Sequence, residues 1–253
     1  MPITTTPDTL TEEQVEHFRT QGFVHIPGVI SPEEAKEFYA AALDVAGRTT
    51  SRSHGVFLQH VNVWAEDEAM KRLTLHPNVG AVARKLAGVP LRLWHDQILI
   101  KEPHNNVATE FHQDQPYWPH QGSSHPISAW IALCDVPVEK GCMTFLPGSH
   151  RRTDLPAQNL RSASSLMEIC PDFVWSPRVT VPLKAGDCTF HHGRCAHMAT
   201  PNFTDDPRVA HIVIFMDADT RYSGARHVVT DPLGLTPGDV LEHALFPRVK
   251  EEG

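Results

Sequence analysis

Leu91-Arg92-Leu93-Trp94-His95-Asp96-Gln97-Ile98-Leu99-Ile100-Lys101 sets the fold class, because from this stretch onward the chain changes character. Short apolar runs follow at Ile127 to Cys134, Cys142 to Leu146, Arg178 to Leu183, Cys188 to His191 and Arg208 to Asp217. Clusters of Pro, Gly, Asn and Asp separate them. Short runs punctuated by turn residues read as strands of an antiparallel sandwich or barrel. Upstream, Thr11 before Glu12 and Glu13, with Val15 and Phe18 spaced for one face, predicts a capped amphipathic helix ending near Gly22. Phe23 to Pro27 reads as a short strand. Ser31-Pro32-Glu33-Glu34 opens a second helix running to about Val45, with acidic residues against the dipole, and a third falls within Pro77 to Leu86. Residues 1 to 9 read as a frayed tail. The expected architecture is mainly β with flanking α-helices: a jelly roll buttressed on one side. The chain reads as a single domain over 1–253, with a helical buttress at about 11–87 and a β core at about 91–217.

Composition narrows the function. A net charge of -8, with Lys and Arg scattered rather than striped, argues against a nucleic-acid partner, which needs a concentrated basic face. No apolar run approaches the roughly 20 residues of a membrane span, and no basic region followed by an apolar stretch opens the chain. Five cysteines, an odd number without a CxxC pair, read as reduced thiols of a cytoplasmic protein rather than a disulfide or zinc framework.

Phe111-His112-Gln113-Asp114 carries the first chemical signal. On an extended segment side chains alternate, so His112 and Asp114 share a face. An imidazole and a carboxylate so placed can fill adjacent positions on a metal. A second imidazole would complete the two-His-one-carboxylate facial triad, whose open positions suit Fe(II) oxygen chemistry. In a chain with 17 histidines an HxD match alone is weak evidence. The stretch Gly186-Asp187-Cys188-Thr189-Phe190-His191-His192-Gly193-Arg194-Cys195-Ala196-His197 strengthens it with a turn, a strand and clustered histidines. His191 and His192 rival His197 as the distal donor; adjacent strand residues face opposite sides, so those two cannot both serve. Arg208 lies 208 − 197 = 11 residues beyond His197 and opens the apolar run Val209 to Phe215. A charge facing inward from there needs a partner, and a planar guanidinium suits a carboxylate.

Taken together, His112-Gln113-Asp114-Gln115-Pro116-Tyr117-Trp118-Pro119, the stretch Gly141 to His150, and Gly186 to Arg208 resemble the phytanoyl-CoA dioxygenase family. The likeness extends to the opening Thr-Glu-Glu-Gln helix and Gly22-Phe23-Val24. The resemblance implies a double-stranded β-helix, cupin-like, holding Fe(II) and using 2-oxoglutarate and O2 as co-substrates. It implies His112, Asp114 and His197 as metal ligands, the last favoured by its spacing to Arg208. Arg208 then binds the distal carboxylate of 2-oxoglutarate, Trp130 packs beside it, and Gln97 contacts it. Gln59, Tyr117 and Trp118 are expected to face a small-molecule substrate. Where many members carry Ser two residues after the distal His, this chain has Ala199, so that hydroxyl contact is either missing or supplied by Thr200. The implied reaction hydroxylates a C–H bond of a small molecule, such as a specialised metabolite, releasing succinate and CO2. Desaturation, epimerisation or ring formation at the same centre stay open beside it, as does a non-catalytic metal-binding jelly roll. The stretches 103–106 and 153–172 are read as lids.

Overall fold

The computed structural model describes residues 5–6, 9–53 and 55–250. Most of the stretch read as a frayed tail lies outside them, although Thr5 N–H donates to the Gly28 carbonyl at 2.7 Å.

Helix α1 (Glu12–Gln21) begins with a reciprocal capping box between Thr11 and Gln14. It ends where Gly22 adopts a left-handed φ of 84°. A Cβ there would also lie 2.4 Å from the His150 ring, so both conformation and space require glycine. Strand β1 (Phe23–Ile26) follows, then α2 (Pro32–Arg48), capped by Ser31 and Glu34 in the same way. The strands β2 (Arg52–Ser53) and β3 (Leu58–Val61) precede α3 (Glu68–Thr74) and α4 (Pro77–Ala87). Helix α3 was not foreseen; its signal is Asp67, whose carboxylate accepts from the Ala69 and Met70 N–H groups.

The β region comprises β4 (Leu91–Lys101), β5 (Thr109–His112), β6 (His120–Gln121), β7 (Ile127–Ala132) and β8 (Met143–Phe145). After α5 (Ser165–Ile169) come β9 (Val179–Val181), β10 (Cys188–His192), β11 (His197–Ala199), β12 (Arg208–Asp217) and β13 (Arg221–Tyr222). One sheet runs β1-β10-β7-β12-β4-β3-β2 and a second β5-β11-β8-β9, with β6 and β13 forming a small ribbon. The pairings are antiparallel. The jelly roll with flanking helices expected from the sequence is the observed fold. The helical N-terminal region also supplies strands to the large sheet, β1 at one edge and β3 with β2 at the other.

Strand alternation explains how the large sheet divides its labour. Ile127, Ala129 and Ile131 of β7, with Val209, Val213 and Phe215 of β12, pack under Val15, Phe18, Phe38 and Leu86 of the helices. The intervening Trp130, Ala132, Ala210, Ile212 and Ile214 turn to the other side, where Met143 and Phe145 of the second sheet meet them. Because both faces are covered, β7 and β12 are buried along their whole length.

The stretch read as a lid at 153–172 is anchored at a few points, with most of its side chains exposed or half-buried. Leu166, Cys170 and Phe173 bury themselves against Phe111, Leu146 and Ala196 on the outer face of the second sheet. Gln113 fastens it further: its Nε2 donates to the Arg152 and Arg194 carbonyls at 3.1 and 2.7 Å, and its N–H donates to Gln158 Oε1 at 2.7 Å. Among the described residues no helix is long and apolar enough to cross a membrane.

Candidate metal centre

His112 and His197 are direct register partners across β5 and β11, which brings their rings to 4.4 Å between centroids. Asp114 reaches the same point by a different route from the one expected. Strand β5 stops at His112, and Asp114 has helical backbone angles (φ -75°, ψ -43°) at the start of a single turn over Gln115–Tyr117. The chain folds back there, so convergence comes from a turn rather than from strand alternation.

The three residues offer ligand atoms within 4.8 Å of one another. Asp114 Oδ1 lies 3.5 Å from His112 Nε2 and 3.7 Å from His197 Nε2. Donors on adjacent octahedral positions with bonds of about 2.1 Å sit roughly 3 Å apart, so both separations from Asp114 lie within about 0.7 Å of the spacing a cation would impose. Both rings are oriented for it. His112 Nδ1–H donates to the Glu110 carbonyl at 2.7 Å, and His197 Nδ1–H to the Cys195 carbonyl at 3.0 Å. A carbonyl only accepts, so each neutral ring keeps its lone pair on Nε2. Burial pushes the His197 imidazole down to about 3, leaving it neutral at pH 7. Burial alone would raise the Asp114 carboxyl, but the imidazoles of His197, His112 and His191 packed around it hold it well below its ordinary value. Two imidazoles with Nε2 turned to the site and one carboxylate are a donor set suited to a divalent metal, so the residues fit the iron that the resemblance implies.

The second oxygen of Asp114 is held from behind. Ser128 Oγ–H donates to Oδ2 at 3.2 Å, and His191 Nε2 stands 3.4 Å from it. His191 therefore faces the site without joining the three-atom cluster; His192 points elsewhere, its Nε2 donating to the Ser124 carbonyl at 3.0 Å. Ser128 and this role of His191 were missed in the sequence, though the alternation Ile127-Ser128-Ala129-Trp130 carried the signal for Ser128. Exchanging His191 for glutamine is expected to leave a metal site and lower turnover 10- to 100-fold, the cost of a lost supporting contact. Loss of metal equal to that in His197→Ala, measured by metal content after dialysis, would show that His191 is itself a ligand.

A cavity of about 490 Å³ opens beside the triad. Arg208 lies in its wall at 1% exposure with no acidic partner among the described residues. Its Nε is unpartnered and its Nη1 only approaches the Leu99 carbonyl at 3.5 Å. Burial lowers its guanidinium to about 10, so it stays charged at neutral pH. The cation sits 5.3 Å from the Trp130 ring centroid. A buried, unpaired guanidinium is costly, and an anion entering the cavity would relieve that cost.

Gln97, Gln59, Tyr117 and Trp118 all line this cavity. Gln59 and Gln97 are hydrogen-bonded to each other across β3 and β4, and the Tyr117 hydroxyl donates to the Gln158 carbonyl. Thr200 does not compensate for Ala199: its hydroxyl donates outward to the Val138 carbonyl at 2.7 Å, while Ala199 itself lines the cavity.

Residues 18–210 match the family model described as phytanoyl-CoA dioxygenase (PhyH). The chain belongs to the phytanoyl-CoA dioxygenase family. A curated member, phytanoyl-CoA dioxygenase domain-containing protein 1 of Mus musculus, is 28% identical over 160 residues, covering 61% of this chain and 55% of that protein. The match thus spans about half the length of this relative and of its rat counterpart. Solved structures agree more fully. The non-heme alpha ketoglutarate dependent carbocyclase SnoK from nogalamycin biosynthesis is 40% identical, with a TM-score of 0.89, over 98% of this chain and 100% of that one. The epimerase SnoN, in complex with Fe3+, alpha ketoglutarate and nogalamycin RO, is 36% identical, with a TM-score of 0.83, over 94% and 98%. Family and fold expected from the sequence are those found.

Proposed function

We propose that this member of the phytanoyl-CoA dioxygenase family is a non-haem Fe(II)- and 2-oxoglutarate-dependent dioxygenase acting on a small molecule. The observation that carries the reading is the convergence of His112, Asp114 and His197 beside a buried guanidinium that lacks a carboxylate.

In this reading His112 and His197 hold iron through Nε2 and Asp114 through Oδ1. When bound, iron supplies O2 activation coupled to decarboxylation of 2-oxoglutarate to succinate and CO2. Arg208 grips the distal carboxylate of the co-substrate with its planar fork, and Trp130 flanks it. Leu99, Met143 and Ile212 give the cavity apolar walls that exclude water. Gln97 contacts the co-substrate, while Gln59, Tyr117 and Trp118 face the substrate. The reading treats residues 1–253 as one catalytic domain. It places the chain in the cytoplasm, in keeping with five cysteines that form no disulfide.

Hydroxylation of a C–H bond is the primary outcome. Ring closure or epimerisation is the second reading, favoured by the carbocyclase and epimerase that are 40% and 36% identical to this chain. A screen of oxygenated polycyclic and glycosylated compounds, read by succinate release with added Fe(II) under air and by product mass, tests both. A gain of one oxygen atom supports hydroxylation, whereas loss of two hydrogens or no change in mass with altered stereochemistry supports the second. No succinate above the substrate-free rate, in a protein that binds iron, would count against an oxygenase.

A further inference from the structure

Away from the triad and Arg208, the cavity wall carries two imidazoles that the proposed chemistry does not use. Strand β4 is irregular where it pairs with β12: Ile214 faces His95 and Phe215 faces Leu93, so Trp94 is an extra residue in the ladder. A bulge of this kind re-aims side chains. Here Trp94 joins the inner apolar cluster and His95 lines the cavity. His227 arrives from the segment after β13 and also lines the cavity, its ring 5.7 Å from that of His95 and tilted by 31°.

Their hydrogen bonds distinguish the two rings. His95 Nδ1–H donates to the Asp96 carbonyl at 3.1 Å, which leaves a lone pair on Nε2. His227 Nδ1 instead accepts from the Val229 N–H at 3.2 Å, so its proton is on Nε2. Burial pushes the two rings down to about 3 and about 4, keeping both neutral at pH 7. Among the described residues neither Nε2 has a hydrogen-bond partner. Side by side, the two rings thus offer one acceptor and one donor without charge, while Arg52 and the Arg226–Asp231 ion pair line the cavity nearby. Aromatic surface in the same cavity comes from Phe57, Tyr117 and Trp118, while Trp94, fully buried, backs the two imidazoles at 5.6 Å from His95 and 5.2 Å from His227.

We propose that His95 and His227 form a recognition point for the hydroxyl groups of a ring-shaped substrate. The proposal rests on the reading of this cavity as the substrate site and names what that site selects. A ligand hydroxyl donates to His95 Nε2, and the same or a neighbouring oxygen accepts from His227 Nε2–H. The flat aromatic frame suits a phenolic or sugar ring. Both sources share the chemistry, and the experiment separates them.

The full chain, loaded with Mn(II) and 2-oxoglutarate to prevent turnover, is titrated by calorimetry with resorcinol, with resorcinol dimethyl ether and with methyl glucoside. Resorcinol is expected to bind about tenfold more tightly than its ether, since a site built to pair a hydroxyl rejects the analogue lacking it. His95→Phe and His227→Phe should each erase that preference, and His227→Gln, which keeps an N–H donor, should restore part of it. Histidine-dependent binding of methyl glucoside identifies a sugar ring, and of resorcinol a phenolic one. Equal affinity for resorcinol and its ether together with no binding of the glucoside, or preferences unchanged in both Phe variants, overturns the proposal. Binding of 2-oxoglutarate in the same samples reports on the oxygenase reading separately, so either idea can fail while the other stands.

Discussion

Replacing His112 with alanine is expected to lower substrate-dependent succinate formation at least ~100-fold and to weaken iron binding by a similar factor. Residues that merely support a metal ligand cost 10- to 100-fold when lost, and His112 offers its own lone pair 3.5 Å from Asp114 Oδ1. Alanine would leave Asp114 and His197 as two donors on a cation that needs three to stay fixed in a cavity. The fold should survive, because His112 is the last residue of a short strand and its ring makes one hydrogen bond, to the Glu110 carbonyl. Iron retained against a chelator, together with succinate yield, measures the effect. Wild-type affinity for iron in the variant would remove His112 from the site.

The second large effect concerns Arg208, and its two halves have opposite signs. Arg208→Met is expected to weaken 2-oxoglutarate binding by about 100- to 1000-fold, as truncating one side of a buried charge pair costs 2–5 kcal/mol. In the absence of 2-oxoglutarate the same variant should unfold at a higher temperature than the wild type. The wild-type guanidinium is 1% exposed and has no carboxylate partner among the described residues, with its buried neighbour Lys101 adding like charge. Methionine of similar length removes that burden. Saturating 2-oxoglutarate should raise the melting temperature of the wild type and leave that of Arg208→Met unchanged. A variant that keeps its affinity for 2-oxoglutarate, or that melts earlier without it, would show that Arg208 is paired by something other than the co-substrate.

Particular residues show how far the sequence carries. The caps Thr11 and Ser31 and the turn at Gly22 were legible because a cap is made by residues three or four apart. Strand β12 was legible from end to end, since a run of ten residues closed by Asp217 leaves few alternatives. Helix α3 was not: seven residues give too little periodicity to stand out against its loops. The pair His112 and Asp114 was found for a reason only half right, as the fold uses a tight turn where alternation was assumed. His95 and His227 carried no signal at all. One depends on a bulge in β4 and the other on where the chain lies after β13.

From its residues alone this protein declares its strands, its caps and the chemical types a metal and a diacid require, because those signals are local and repeat every two to four residues. Packing, not local sequence, gathers His197 rather than His191 into the three-donor cluster with His112 and Asp114. The two are six positions apart, yet β10 and β11 lie in different sheets, and only β11 pairs in register with β5, 197 − 112 = 85 residues away. Such pairing depends on loop lengths and on how the two sheets close over their shared core. Hydrophobic burial across the whole chain sets that closure, and no window of sequence contains it.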